Sequence, residues 1–222
     1  MAQACRILAL DGHQDLTLGH VSVRLPGTEI IYMKRKGRGL DEITPDDIIA
    51  IDLDGNLVEG EGEVHLEYPV HTEVYRRRPD VGAVIHTHSP YATALGATDG
   101  KLELLTHDAV LFYRGLPRFE DTPELIVNSD QGRSLAQALG DARAVLMRNH
   151  GVLVVGESVP WAVLAALTLD RAIAFQIMAA RLGQLRPMTP AEAEKLFPQK
   201  FPQAFVEEYW NYLVRKLERA AV

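Results

Sequence analysis

Two histidines one residue apart, His86 and His88, end the apolar run V-I-H-T-H. On a β-strand, residues i and i+2 project to the same face, so both imidazoles would point together at the strand's end. Two such rings can hold one divalent ion, and a third ligand must come from elsewhere in the chain. His150 offers one, because Asn149-His150-Gly151 interrupts two apolar runs and puts an imidazole at a tight bend. Three histidines leave coordination positions open for a substrate. The plain alternative is two histidines that end a strand and one in a polar turn, since H-x-H by itself is a weak motif. Glu67 adds a carboxylate. It reads as the start of a helix, with His71 four residues on along the same face. There it would be a fourth ligand or a general base beside the ion, although a Glu–His pair is also common on a helix surface.

The elements that must position these residues are mixed. Val21, Val23 and Leu25 alternate as in a strand, and residues 29–34 form a second. Thr44 and Pro45 start a helical turn, and residues 47–60 read as a hairpin around Asp54-Gly55-Asn56. A helix over 68–78 stops at Pro79, and a strand over 81–88 carries the H-T-H. Ser89 as N-cap and Pro90 at the first position open the next helix. Further helices lie within 125–140, after Ser158 and Pro160, and over 204–220. Strands come as hairpins and are interspersed with helices, which predicts a mixed sheet covered by helices in one α/β domain, residues 1–222. The basic loop Lys34 to Arg38 reads as a solvated loop, with attraction of an anionic substrate as the other reading.

Composition bounds the function. The chain has 222 residues, 47% hydrophobic, with a formal net charge of −7. That excludes the basic surplus of an ordinary nucleic-acid binder. Cys5 is the single cysteine, so no internal disulfide forms, which suits a reducing cytoplasm. The early Arg6 and Asp11 do not fit a secretory signal. The long apolar stretch over 159–182 carries Asp170 and Arg171 near its middle, so it reads as a core helix rather than a membrane span.

Glu67, the segment R-P-D-x-x-A-V-I-H-T-H from Arg78 to His88, and N-H-G-V-L from Asn149 to Leu153 together resemble the class II aldolase/adducin family. The resemblance runs from the G-H-V-S-V-R segment to about residue 183. It implies an α/β/α sandwich with a mixed, largely antiparallel central sheet, and a homo-oligomer, usually a tetramer, with active sites at subunit interfaces. It implies a divalent ion on His86, His88 and His150, zinc foremost; manganese, iron, cobalt and nickel also suit three imidazoles. Glu67 would ligate the ion or move protons.

The departures bear on substrate. Where sugar-phosphate aldolases of the family carry G-N-x-S, this chain has Gly19-His20-Val21-Ser22, and where they carry S-S-E it has His65-Leu66-Glu67. Leucine cannot donate to a phosphate oxygen, which argues against a phosphorylated sugar. The position of the aldolases' proton-donating tyrosine falls at or near His107. The G-H-x-S-x-R, H-T-H-S-P-Y and N-H-G-V-L forms look like the decarboxylase branch, which acts on dihydroxyphthalate, carboxylated ring-cleavage products and hydroxypyridine dicarboxylates. A small anionic carboxylate substrate is therefore expected, hydroxylated aromatic or dienoic. Decarboxylation breaks a C–C bond and leaves an electron pair on carbon, which a metal turns into an enolate by acting as a Lewis acid on a conjugated oxygen. Glu67 or His107 would supply the proton, and His20, Ser22, Arg24, His65 and Tyr91 are candidate substrate contacts. Arg24 is read equally as an outer-face strand residue, and Tyr91 as packing on the sheet. The alternatives are an aldolase of a non-phosphorylated hydroxy-ketoacid, an iron-dependent oxygenase, and a non-catalytic interaction protein.

Overall fold

A computed structural model describes residues 1–220. Its sheet has eight strands: β1 His20–Arg24, β2 Ile31–Lys34, β3 Ile48–Ile51, β4 Leu57–Glu59, β5 Ala83–Thr87, β6 Arg118–Phe119, β7 Ala144–Met147 and β8 Gly151–Gly156. They run in the order β4-β3-β2-β1-β5-β8-β7-β6, and the β6–β7 pair is the parallel one in an otherwise antiparallel ladder.

Strand alternation sends two apolar sets to two helical layers. Val21, Ala83, Ile85, Val152 and Val154 join one core with α1 Ala2–Leu8, α3 Pro90–Gly96 and α5 Val159–Leu182. Two more helices, α6 Pro190–Lys200 and α7 Gln203–Ala220, close over that layer through Ala193 and Val206. Met33, Ile49, Val84, Val145 and Leu153 point the other way, against α2 Pro69–Arg77 and α4 Ser129–Leu139. The result is the expected α/β/α sandwich. Gly132 lets α4 lie close on α2, since a Cβ there would come within 2.7 Å of the Pro69 carbonyl oxygen.

By length and composition α5 could cross a membrane, yet its Trp161, Ala162, Val163, Ala165, Ala166 and Leu169 are packed in the core. Its Asp170 accepts the Ala92 N–H at 2.9 Å, capping α3. Ser89 stands at the predicted cap position, but its hydroxyl makes no capping bond. Helix α6, opened by a Thr189–Glu192 capping box, and the two-residue β6 were not foreseen from the sequence. Pattern reading misses both because α6 carries an internal Pro198 and β6 is too short to alternate.

Arg24 is corrected from candidate substrate contact to structural clamp. Its guanidinium donates to the carbonyls of Tyr75, Arg78 and Val81 at 2.8, 2.9 and 2.9 Å and lies over the Tyr75 ring. These carbonyls end α2 and begin the turn into β5, where orphan acceptors need a donor. Arg24→Ala is therefore expected to lower unfolding free energy by about 3 kcal/mol in urea titration, because three carbonyls lose a charged donor. Arg24→Lys should recover only part of this, since one ammonium cannot span all three; a loss under about 0.5 kcal/mol for the alanine variant would contradict the clamp.

Candidate metal centre and active site

The pairing of β1, β5 and β8 builds the site. His20 lies directly opposite His86, and His86 opposite Leu153. Opposed residues share a face, so His20, His86 and His88 all project towards the α2 layer. His150 enters from the turn before β8, where Asn149 adopts a left-handed conformation at φ 54°. Asparagine tolerates that region better than most residues. Gly151 is required by space: a Cβ would come within 2.6 Å of the Thr87 carbonyl oxygen and 2.7 Å of His88 Cδ2.

The three imidazoles form a triangle with ring centroids 5.0–5.2 Å apart. Their ligating nitrogens all lie within 4.8 Å of one another. The tautomers of two are fixed. His86 Nδ1–H donates to the Val152 carbonyl at 3.1 Å, and His88 Nδ1–H to Asp15 Oδ2 at 2.8 Å. In the neutral ring that arrangement leaves a lone pair on Nε2. The Nε2 atoms of His86, His88 and His150 are buried and have no hydrogen-bond partner among the described residues. Burial, and then the neighbouring rings, push His86 well below the usual histidine range; burial and His88 bring His150 to about 4. Both are therefore uncharged at neutral pH. Three buried imidazole nitrogens, none with a hydrogen-bond partner among the described residues, face one space and fit a divalent cation.

Glu67 completes the centre. Its Oε2 lies 3.7 Å from His150 Nε2 and 3.9 Å from both His86 Nε2 and His20 Nε2. Its Oε1 accepts the Ile126 N–H at 2.9 Å, and burial raises its carboxyl pKa. The expected helical start is corrected: Glu67 sits in the turn before α2, which begins at Pro69, and His71 does not pair with it. His71 instead bonds His20 Nδ1 and Ser22 Oγ, both at 2.6 Å. Ser22 is likewise corrected. Its hydroxyl is fully buried and bonded to His71 and Tyr75, which leaves nothing for a substrate.

His65 packs on His20 with centroids 4.4 Å apart, and Lys34 Nζ lies 3.5 Å from its Nε2. Lys34 is not a solvated residue. It is fully buried, donates to the carbonyls of Thr17 and Arg38, and burial lowers its pKa to about 8. Tyr91 is exposed and lines a cavity with His13, Asp108 and Lys200. His107 is exposed on the loop before a short helical turn at Ala109–Phe112 and makes no hydrogen bond or ring contact with the cluster. Asp15 was missed, because nothing local connects it to a histidine 73 positions away.

Residues 1–177 match the family model for the class II aldolase and adducin N-terminal domain. The chain belongs to the class II aldolase/adducin family. Over 203 residues it is 34% identical to 3,4-dihydroxyphthalate decarboxylase of Arthrobacter keyseri, covering 82% of this chain and 78% of that one. It is 38% identical over 160 residues to 4-hydroxy-3-prenylphenylpyruvate oxygenase/4-hydroxy-3-prenylbenzoate synthase of Streptomyces roseochromogenus subsp. oscitans. That match covers 71% of this chain but only 57% of the relative. A crystal structure of an aldolase II superfamily protein from Pseudomonas syringae superposes with a TM-score of 0.87 at 28% identity, covering 99% of this chain and 90% of that one. The class II aldolase fold is thus shared, and the likeness extends to the decarboxylase branch, as the altered G-H-V-S and H-L-E motifs imply.

The Asp15–His88 bond yields a prediction. Carboxylates behind metal-bound histidines orient the ring and raise its basicity, and losing them typically costs about 10–100-fold in affinity. Asp15→Asn should weaken zinc binding, read by competition with a chromophoric chelator, by roughly that factor. Unchanged affinity would remove Asp15 from the metal centre.

Proposed function

We propose that the protein is a divalent-metal-dependent carbon–carbon lyase that decarboxylates a hydroxylated aromatic or related dienoic carboxylate. Residues 1–222 act as one domain of a cytoplasmic homo-oligomer. The observation that carries this reading is the convergence of three unpartnered imidazole nitrogens, two of them within 3.9 Å of Glu67, beside His20 and His65, which stand in motifs where the family's sugar-phosphate aldolases carry phosphate-binding groups. When bound, a divalent ion supplies Lewis-acid stabilisation of negative charge developing on a substrate oxygen.

His86, His88 and His150 would hold that ion, with Asp15 orienting His88. The substrate's leaving carboxylate must stand out of the conjugated plane. Protonation of the ring carbon that bears it makes that carbon tetrahedral and brings the carboxylate out of the plane; the C–C bond then breaks, carbon dioxide leaves, and the bonding pair re-enters the ring with the negative charge carried on the hydroxyl oxygen. Glu67 is placed to hand a proton to that carbon, since burial favours its protonated form. His107 would supply the proton across a subunit interface instead. His20 and His65 wall the space for a carboxylate, and the buried Lys34 ammonium behind His65 favours an anion there.

Exposed Leu16, Leu18, Leu66, Leu125 and Val127 flank Asp15, Glu67 and Ile126 in the chain. An apolar rim of this kind supports a site that a neighbouring subunit covers. A second reading is oxygen chemistry at the same centre, with Fe(II) as the bound ion; an oxygenase activity is named for the relative that is 38% identical over 160 residues.

Mass spectrometry of reaction mixtures separates the readings. Metal-reconstituted protein is given 3,4-dihydroxyphthalate, other ortho-hydroxy carboxylates and several hydroxy-ketoacids. The expected product is lighter by one carbon dioxide and absent with His88→Ala. Retro-aldol fragments would move the protein to aldol cleavage of a non-phosphorylated hydroxy-ketoacid. Oxygen consumption with Fe(II) would establish the oxygenase reading in its place.

A further inference from the structure

One wall of the site contains a chain of hydrogen bonds whose direction can be read from its buried end. Tyr75 is 1% exposed, and among the described residues the acceptor bonded to its hydroxyl is Ser22 Oγ, at 2.9 Å. A buried O–H left without an acceptor is costly, so Tyr75 donates to Ser22. A serine hydroxyl carries a single proton. Having accepted from Tyr75, Ser22 gives that proton to His71 Nδ1 at 2.6 Å. The His71 proton therefore resides on Nε2, which faces His20 Nδ1 at 2.6 Å. Only one proton fits between two nitrogens at that distance. His20 Nδ1 accepts it, and the proton of His20 itself sits on Nε2, which lies 3.9 Å from Glu67 Oε2 in the site.

We propose that Tyr75, Ser22 and His71 are positioning residues that hold His20 as its Nε2–H tautomer, so that His20 donates a hydrogen bond to an anionic oxygen of the substrate and does not ligate the metal. The identity of that oxygen, on a hydroxylated carboxylate, rests on the proposed decarboxylase reading. Two sets of potential ligands overlap here: His86 with His88 and His150, and His20 with Glu67 and His86. Tautomers choose between them. His86 and His88 give their Nδ1–H to Val152 and Asp15 and present a bare Nε2. His20 accepts at Nδ1 and presents a protonated Nε2, which has no lone pair for a cation. One face of the sheet thus offers imidazoles of both kinds, ligands on one side and a donor on the other. Arg24 over the Tyr75 ring, 4.8 Å from its centroid, keeps the buried end of the chain in place.

Side-chain ¹⁵N NMR of the full-length protein at neutral pH, metal-free and zinc-loaded, reads each tautomer directly. The expected spectrum shows His20 and His71 protonated at Nε2 and bare at Nδ1 in both states. In Tyr75→Phe, Ser22 is free to accept as well as donate, and the His20 signals should move towards a tautomer average. A wild-type His20 protonated at Nδ1, a coordination shift of its Nε2 on zinc loading, or a Tyr75→Phe spectrum identical to wild type would each overturn the proposal. Calorimetric titration of zinc-loaded protein with ortho-hydroxybenzoate tests the donor role. His20→Leu should bind roughly tenfold more weakly, the effect of one lost hydrogen bond to a charged group, with zinc content unchanged. His20→Asn, which restores an N–H donor, should recover part of that loss; equal affinity in wild type and His20→Leu would overturn the donor role. The spectra require no turnover, so a failed decarboxylation assay removes the substrate reading and leaves the tautomer result to stand or fall separately.

Discussion

The register of three adjacent strands is the constraint on which the rest depends. His20 on β1 faces His86 on β5, and Thr87 faces Val152 on β8. A slip of one residue would turn every side chain of a strand to the opposite face and send the imidazoles into the apolar layer under α5. What prevents the slip is the other face of the same strands. Val21, Ala83, Ile85, Val152 and Val154 are all essentially fully buried there. Each large apolar side chain so buried contributes about 1.5–3 kcal/mol, enough to hold the register against the cost of desolvating imidazoles on the opposite side.

That cost shapes the chemistry. Histidines buried together cannot all carry charge, and His71 is pushed to about 3 and His65 to about 4, chiefly by burial. Neutral rings still need partners for their polar atoms. The fold provides one partner for each of His86, His88 and His20, and two for His71. Among the described residues, the fully buried nitrogens left over around the centre are Nε2 of His86, His88 and His150, together with Nδ1 of His150. A cation would relieve this unsatisfied set, so that metal binding and folding stabilise each other.

Much of this was legible in the sequence, for identifiable reasons. The H-T-H pair is legible because strand periodicity alone puts i and i+2 on one face. The N-H-G turn is legible because it interrupts two apolar runs, and the sandwich follows from alternating strands and helices. Partnerships across the chain were not legible. Asp15 meets His88 at a separation of 73 residues, and Arg24 meets Val81 at 57. Ser22 matched a ligand-binding motif but spends its hydroxyl on His71 and Tyr75. Lys34 looked like part of a charged loop, yet it is the last residue of β2, and its side chain points inward. Lys34 stands where the strand pattern and the basic loop overlap, and a local pattern does not decide the direction of a side chain at such a junction.

The central claim is that His86, His88 and His150 together form one metal centre. X-ray absorption spectroscopy of the zinc-loaded full-length protein tests it most directly. Three imidazole nitrogens are expected at about 2.0–2.1 Å with the remaining positions filled by oxygen, and one imidazole fewer in His150→Ala. Two imidazoles or fewer in the wild type, or a spectrum unchanged by His150→Ala, would contradict it.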